Sequence, residues 1–489
     1  MHQSDPGARN SRARRFRLAA ALSAGLCVSS GLAHARADDP KPSQAKDPAA
    51  AVEKPAPPKA EVIVIRAGKL IVKPGQVLEG VSVLIEDGLI TQVGKIVTAP
   101  AGAREIKGAV VCAGFIDPWS VYGVDSESVG DQRNSPSAAT ADALDDYIDP
   151  RLRKDVLRAG ITTVRTQMGV LARVSGTGTV VRLHPELPLE KTKLANESCL
   201  SMTLGVRADG NGSDPFERLS DVERLAGMIT QGEAYAVDQV EYQHELTDWK
   251  KKIADKQKEL EEGFKKAKKD REKELAESKE KGKEFKEKEF KEDKPPKAPK
   301  LDPDKAVLAR VAEGEIPLIV EVHRASQLRA LLAATEQFKR LRLVLAGATD
   351  AMEVAPELVR RHIPVVVWPQ PVGANPRLEM ERFDLGLAGQ LEEAGVTVLL
   401  GSGARSPSGS RDLPLLAELA IGHGLDREAA FSALTIGAAR ALDLGSRLGS
   451  VERGKDADLL VLDGDPLAGA THIEYVISGG DVVITPEDR

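Results

Sequence analysis

The chain has 489 residues, with 68 basic and 74 acidic side chains, a formal charge of −6, eight histidines and three cysteines. That length admits two or three domains with a large buried core, and 42% hydrophobic residues exclude global disorder. The acidic balance argues against nucleic acid as a main partner. Three cysteines exclude a disulfide scaffold and a four-cysteine zinc site.

Residues 1–37 read as an export signal. Arg9, Arg12, Arg14, Arg15 and Arg17 precede a short apolar run from Leu18 to Leu32. Small residues at Ala33, Ala35 and Ala37 then offer cleavage sites. The run is short for a transmembrane helix, although an uncleaved anchor is the alternative. The expectation is therefore an exported protein, periplasmic or extracellular. Residues 38–60 form a Pro/Ala/Lys-rich tether, extended and poor in core-forming residues. Cleavage leaves two cysteines, Cys112 and Cys199, both in apolar stretches and read as buried free thiols.

From Glu61 to Cys112 the pattern is β. Clusters of β-branched residues (VIVIRAGKLIV, VSVLIEDGLITQVG) are punctuated by Gly and Asp-Gly turns. Strand signals return after residue 446, in DADLLVLDGDP and HIEYVISGGDVVI. Between them, short apolar strands such as IPLIVEVH, LRLVLAGA, IPVVVWP and VTVLLGSG alternate with helical stretches. This rhythm predicts an α/β chain: a (β/α)8 barrel over 113–445, inserted into a small β-sandwich built from 61–112 and 446–489. A Lys/Glu-rich insertion, 243–303, interrupts the barrel and predicts a solvated helix or hairpin. Residues 250–300 hold 20 basic and 14 acidic side chains, a local charge of +6. With that +6 and the +5 of the signal set aside, the chain's −6 becomes −17. An acidic body thus carries a basic arm, suited to an anionic surface or an acidic protein partner. The segment Ser175–Thr179 (SGTGT) reads as a loop between barrel elements.

Four stretches carry a resemblance to a known family: VSVLIEDGLITQVG, AVVCAGFID, AGITTVRT and the closing LTIGAARALDLGSRLGSVERGKDADLLVLDGDP. In order and at this spacing they resemble the amidohydrolase superfamily, especially its exported imidazolonepropionase-like branch. The resemblance covers residues 61–240 and 305–489. It implies hydrolysis of non-peptide carbon–nitrogen bonds by one or two divalent ions at the barrel mouth, which make a bound water acidic and polarise the scissile carbonyl. Such enzymes use an H-x-H pair after the first strand, an acid or lysine mid-barrel, two later histidines and a final aspartate.

Matched position by position, the ligands are missing. GFIDPWSV places Trp119 and Val121 at the histidine pair. Val206 stands at the mid-barrel acid. EVHR keeps His323 but puts Glu321 at the other histidine. Gly347 replaces the next histidine, and Gly403 the aspartate. One histidine and one glutamate hold zinc weakly against water. Two readings follow. In the first, the protein has lost its metal centre, has no cofactor, and keeps the barrel mouth, lined by Trp119 and Asp117, for a small-molecule or peptide ligand. In the second, Glu321 and His323, with Asp117 and Asp350, hold a single zinc or other divalent ion. A third class is a structural role carried by the arm. Nucleic acid is excluded as a partner, and an oligomer is left open.

Overall fold

The structure, a computed structural model, describes residues 61–124, 135–145, 150–168, 173–205, 215–277, 294–369, 384–403 and 406–488. The signal and tether lie outside these residues. The chain opens with four strands: β1 (Ile63–Lys73), β2 (Gln76–Glu86), β3 (Leu89–Gly94) and β4 (Arg104–Ala113). The β2–β3 hairpin closes through Asp87 and Gly88, with φ of 51° and 78°. Two left-handed residues match the right-handed twist of the flanking strands, which is why the turn reads Asp-Gly.

The barrel strands follow, with helices between most of them. They begin with β5 (Phe115–Ser120), α1 (Pro150–Arg158), β6 (Ile161–Thr166), β7 (Val174–Arg182), β8 (Lys193–Thr203) and α2 (Pro215–Glu277). They continue with α3 (Pro303–Ala312), β9 (Leu318–Val322), α4 (Ala325–Thr335), β10 (Leu343–Gly347), α5 (Ala355–Arg360) and β11 (Val365–Val367). They end with α6 (Leu387–Glu393), β12 (Val398–Leu400), α7 (Leu413–Gly422), α8 (Arg427–Leu434) and α9 (Ile436–Ala441). The chain then returns to the first sheet as β13 (Leu459–Leu462), β14 (Ile473–Ser478) and β15 (Asp481–Ile484).

The two ends of the body share one seven-stranded sheet, in the order β15-β14-β13-β4-β1-β2-β3. The join is β4 against β13, antiparallel, with Ala113 opposite Leu459 and Val111 opposite Val461. Its core face packs Ile63, Ile65, Val83, Ile85, Val461 and Ile477. The second sheet runs β5 to β12 in chain order, eight strands that curl into a barrel. Within it, β8 to β12 are parallel neighbours, and so are β5 and β6. Strand β7 is antiparallel to both neighbours, and among the described residues its links to β6 and β8 contain no α-helix. The segment Ser175–Thr179, read as a loop, lies in this strand. Its hydroxyls alternate with glycine, so it lacks the apolar signature of a buried strand.

The charged insertion does not begin at an element boundary. It continues α2, 63 residues long, or about 95 Å at 1.5 Å per residue. The first part of α2 packs on the body through Val222, Leu225, Ile229 and Tyr235. Gly232 lets α3 approach closely, because a Cβ there would meet Ala309 N at 2.9 Å as well as the Leu308 carbonyl. Past Tyr235 most side chains are exposed, and Tyr242, Leu246, Trp249 and Ile253 stay half-buried along one stripe. Among the described residues no helix is long and apolar enough to cross a membrane.

Candidate functional site

Side chains at alternate positions of each barrel strand point to the axis. Those inward positions now hold two tryptophans, an arginine and a histidine. Trp119 on β5 is 1% exposed, and Trp368, one residue past β11, is 4% exposed. Their rings are near-parallel, 4° apart, with centroids at 6.4 Å. His323, one residue past β9, meets Trp368 edge-on at 6.2 Å. Around them pack Val121, Cys199, Ile319, Val344, Val366 and Leu399.

This cluster occupies the space that ligands at the glycine positions would need. A Cβ at Gly347 would run into the His323 ring and stand 3.0 Å from the Trp368 indole. At Gly403 a Cβ would stand 3.2 Å from Trp368 Cγ. Both glycines have φ in the left-handed region, 76° and 87°, which a larger residue adopts only under strain. Val206 lies outside the described residues. Trp119 and Val121 offer no lone pair to a metal. The residues present therefore do not fit a dinuclear or single-zinc hydrolase centre. Among the described residues, no group of three or more His, Cys, Asp or Glu side chains could hold a metal ion.

The four groups of the single-ion reading go to different tasks. Glu321 on β9 and His323, just past its end, do sit together, both buried, with Oε1 3.4 Å from Nε2. Asp117 is fully buried, and both its oxygens are taken. Oδ1 accepts from the Trp119 and Ser402 backbone N–H groups, each at 3.1 Å, and Oδ2 from Ser410 Oγ at 2.7 Å. Ser402 follows β12, so Asp117 clasps the last strand to the first and does not line the mouth. Burial pushes its carboxyl above the ordinary value, while the Ser402 and Ser410 hydrogen bonds act the other way. Asp350 Oδ2 accepts the Ala325 N–H at 2.9 Å, at the start of α4. The two cysteines are free and buried, and burial pushes the Cys112 thiol far up.

Sequence reading missed Arg165 and Trp368. Arg165 on β6 is fully buried and lies over the Trp119 ring, its carbon 5.1 Å from the ring centroid. It donates to Gln167 Oε1 at 2.6 Å, to Cys199 Sγ at 2.7 Å and to Ser201 Oγ. Gly178 on β7 makes its room, since a Cβ there would stand 2.6 Å from Arg165 Nε. The signals were an arginine and a glutamine at alternate positions of AGITTVRTQ, glycines in SGTGT, and a tryptophan closing IPVVVWP.

The polar atoms of this centre are incompletely paired. Trp119 Nε1, Arg165 Nε, Gln167 Nε2, Glu321 Oε2 and His323 Nδ1 are buried with no hydrogen-bond partner. Buried polar groups are nearly always paired, so such a cluster calls for a bound molecule or ordered water. Three of these atoms donate and Glu321 Oε2 accepts, an arrangement that can orient a small polar ligand.

Known proteins resemble the chain in fold and in its closing part. The description "Amidohydrolase family" matches residues 331–485. Imidazolonepropionase from Porphyromonas gingivalis is 36% identical over 112 residues, 21% of this chain and 26% of that protein. The same enzyme from Geobacillus kaustophilus is 37% identical over 105 residues, 20% of this chain and 25% of that protein. The chain thus spans about a quarter of the length of these curated relatives. The crystal structure of an amidohydrolase from Thermotoga maritima matches with a TM-score of 0.65 and 22% identity, over 86% of this chain and all of that one. Molinate hydrolase matches at a TM-score of 0.50 and 16% identity, over 87% of this chain and 95% of its own. The fold is that of the amidohydrolases, without a metal-binding cluster among the described residues.

Proposed function

We propose that this is an exported amidohydrolase-fold protein that has exchanged metal-assisted hydrolysis for binding, taking a small molecule or peptide at the barrel centre. The imidazolonepropionase-like branch is supported by two imidazolonepropionases that are similar over about a fifth of this chain. One observation carries the reading: the Trp368 indole lies where ligands at Gly347 and Gly403 would stand. A hydrolase of this fold needs a metal-bound water and an acid to move its proton, and here an indole and two glycines stand in their place. What remains can bind. Two aromatic faces, a buried guanidinium and unpaired polar atoms on Gln167, Glu321 and His323 are the contacts of a small polar ligand site. The basic arm, projecting from an acidic body, supports docking to an anionic surface or acidic partner as a separate property.

The test is hydrolysis of a panel of dipeptides, lactams and imidazolones, run with added zinc or manganese. The wild-type chain and the Trp119→His/Val121→His double variant should both stay inactive, since the acid at position 403 is also lacking. Turnover by wild type that disappears on chelation, and with Glu321→Gln, would instead establish the single-ion reading.

A further inference from the structure

A cavity lies at the end of the barrel opposite its mouth. It has a volume of about 430 Å³ and opens below the first residues of β9, β10 and β11, between the end of α4 and the end of α5. That volume lies within the range of small-molecule sites. Its floor is apolar, formed by Phe338, Leu341, Leu343 and Ile363. Its rim carries Lys339, Arg342, Arg360, Arg361 and His362, against the single acid Glu336. In a body as acidic as this one, such a concentration of cations around an apolar floor stands apart.

Local backbone geometry produces the rim. Helix α5 ends at Arg360, and His362 turns left-handed, with φ 53° and its N–H on Val359 O. That break sends three consecutive basic side chains in different directions. Arg360 goes outward to Glu357 and Glu336, at 2.5 and 3.2 Å. Arg361 turns back to the carbonyls of Leu332 and Thr335 at the end of α4, at 2.7 and 3.3 Å. Those carbonyls are the negative end of the α4 dipole, so Arg361 also fixes one wall of the cavity. Arg342 is held bidentate by Asp443 at 2.6 and 2.7 Å. Lys339 Nζ has only the Glu336 carbonyl, at 2.9 Å, and neither Lys339 nor His362 has a carboxylate partner among the described residues. The rim is thus three arginines held in place by neighbours and two basic groups left to meet a ligand.

We infer that this cavity binds an organic anion, with its acid group at Lys339 and His362 and its apolar body on Phe338, Leu341 and Ile363. The site is independent of the barrel centre.

Calorimetric titration of the full chain with phenyl phosphate and with hexanoate tests it and distinguishes phosphate from carboxylate sources. At least one should bind saturably, one per chain, about tenfold or more tighter than inorganic phosphate, acetate or phenol. Lys339→Gln and His362→Gln, both at exposed positions, should each weaken that binding about tenfold, the loss of one charge-assisted hydrogen bond. Raising the salt should weaken it further. Glu321→Gln, at the barrel centre, should leave it unchanged. Absence of saturable binding, equal affinity for inorganic phosphate, or unchanged affinity in both rim variants would overturn the inference. Loss of binding in Glu321→Gln with the rim variants intact would place the ligand in the barrel centre and equally overturn it.

Discussion

Two buried carboxylates in the same barrel behave differently. Asp117 gives both oxygens to three donors, on β5, just past β12 and in the short helix that precedes α7. Glu321 gives one oxygen to His323 at 3.4 Å and leaves Oε2 without a partner. Both are inaccessible to solvent, and sequence alone placed both near the chemistry. The contrast shows that burial alone does not mark a site, since one of two buried carboxylates is fully paired and the other is not. Asp117 is a clasp, whereas Glu321 belongs to a cluster that still has bonds to make.

Breaking the clasp should have the largest effect. Asp117→Ala removes the buried acceptor of two backbone N–H groups and of the Ser410 hydroxyl, and should destabilise the protein by about 3 kcal/mol or more, read from the urea midpoint at unchanged slope. A loss below about 1 kcal/mol would erase the contrast. Gly347→His, which places a histidine where the sequence resemblance implies one, should destabilise by about 2 kcal/mol or more, from a left-handed backbone and a collision with His323. If that variant folds as well as wild type and gains a tightly bound ion, the barrel centre is less filled than described. Glu321→Gln sharpens the comparison from the other side. It keeps shape while changing charge, so stability should shift by less than about 1 kcal/mol, while any ligand bound at the centre should be lost. Removing 243–301 with a short Gly/Ser bridge should move the melting temperature by less than about 2 °C, because the excised part of α2 is mostly exposed.

A pH effect belongs to the joint between sheet and barrel. Burial pushes the Asp456 carboxyl up, but hydrogen bonds from Arg447 and Arg182, with their charges, hold it below its ordinary value. A carboxyl lowered in the folded state stabilises the protein above the ordinary carboxylate range and loses that contribution as pH falls through its folded value. Acid unfolding of Arg447→Gln should therefore depend less steeply on pH below 4 than that of wild type, a small change measured by circular dichroism.

Much of the fold was legible because it rests on local signals. The Asp-Gly hairpin at 87–88, the apolar strands IPLIVEVH, LRLVLAGA and VTVLLGSG, and the return strand DADLLVL all occur where pattern placed them. Strand β7 was not legible, because Ser, Thr and Gly alternate there to accommodate Arg165, a requirement set by a neighbouring strand. The extent of α2 was hidden for a similar reason: a helix that leaves the body halfway along changes composition without changing conformation. At the barrel centre, sequence showed which ligands were absent. It did not show that Trp368, 21 residues beyond Gly347, fills their space. Absence is written at single positions, whereas filling is a property of positions brought together only by the closed barrel.

The central claim is that the barrel centre is packed with side chains where the sequence resemblance implies metal ligands. Elemental analysis of the purified full chain, after dialysis against metal-free buffer, tests it most directly. The account predicts well under one equivalent of zinc, iron, manganese or nickel per chain, unchanged by Glu321→Gln. One or two equivalents of a tightly held ion, released by that substitution, would contradict it.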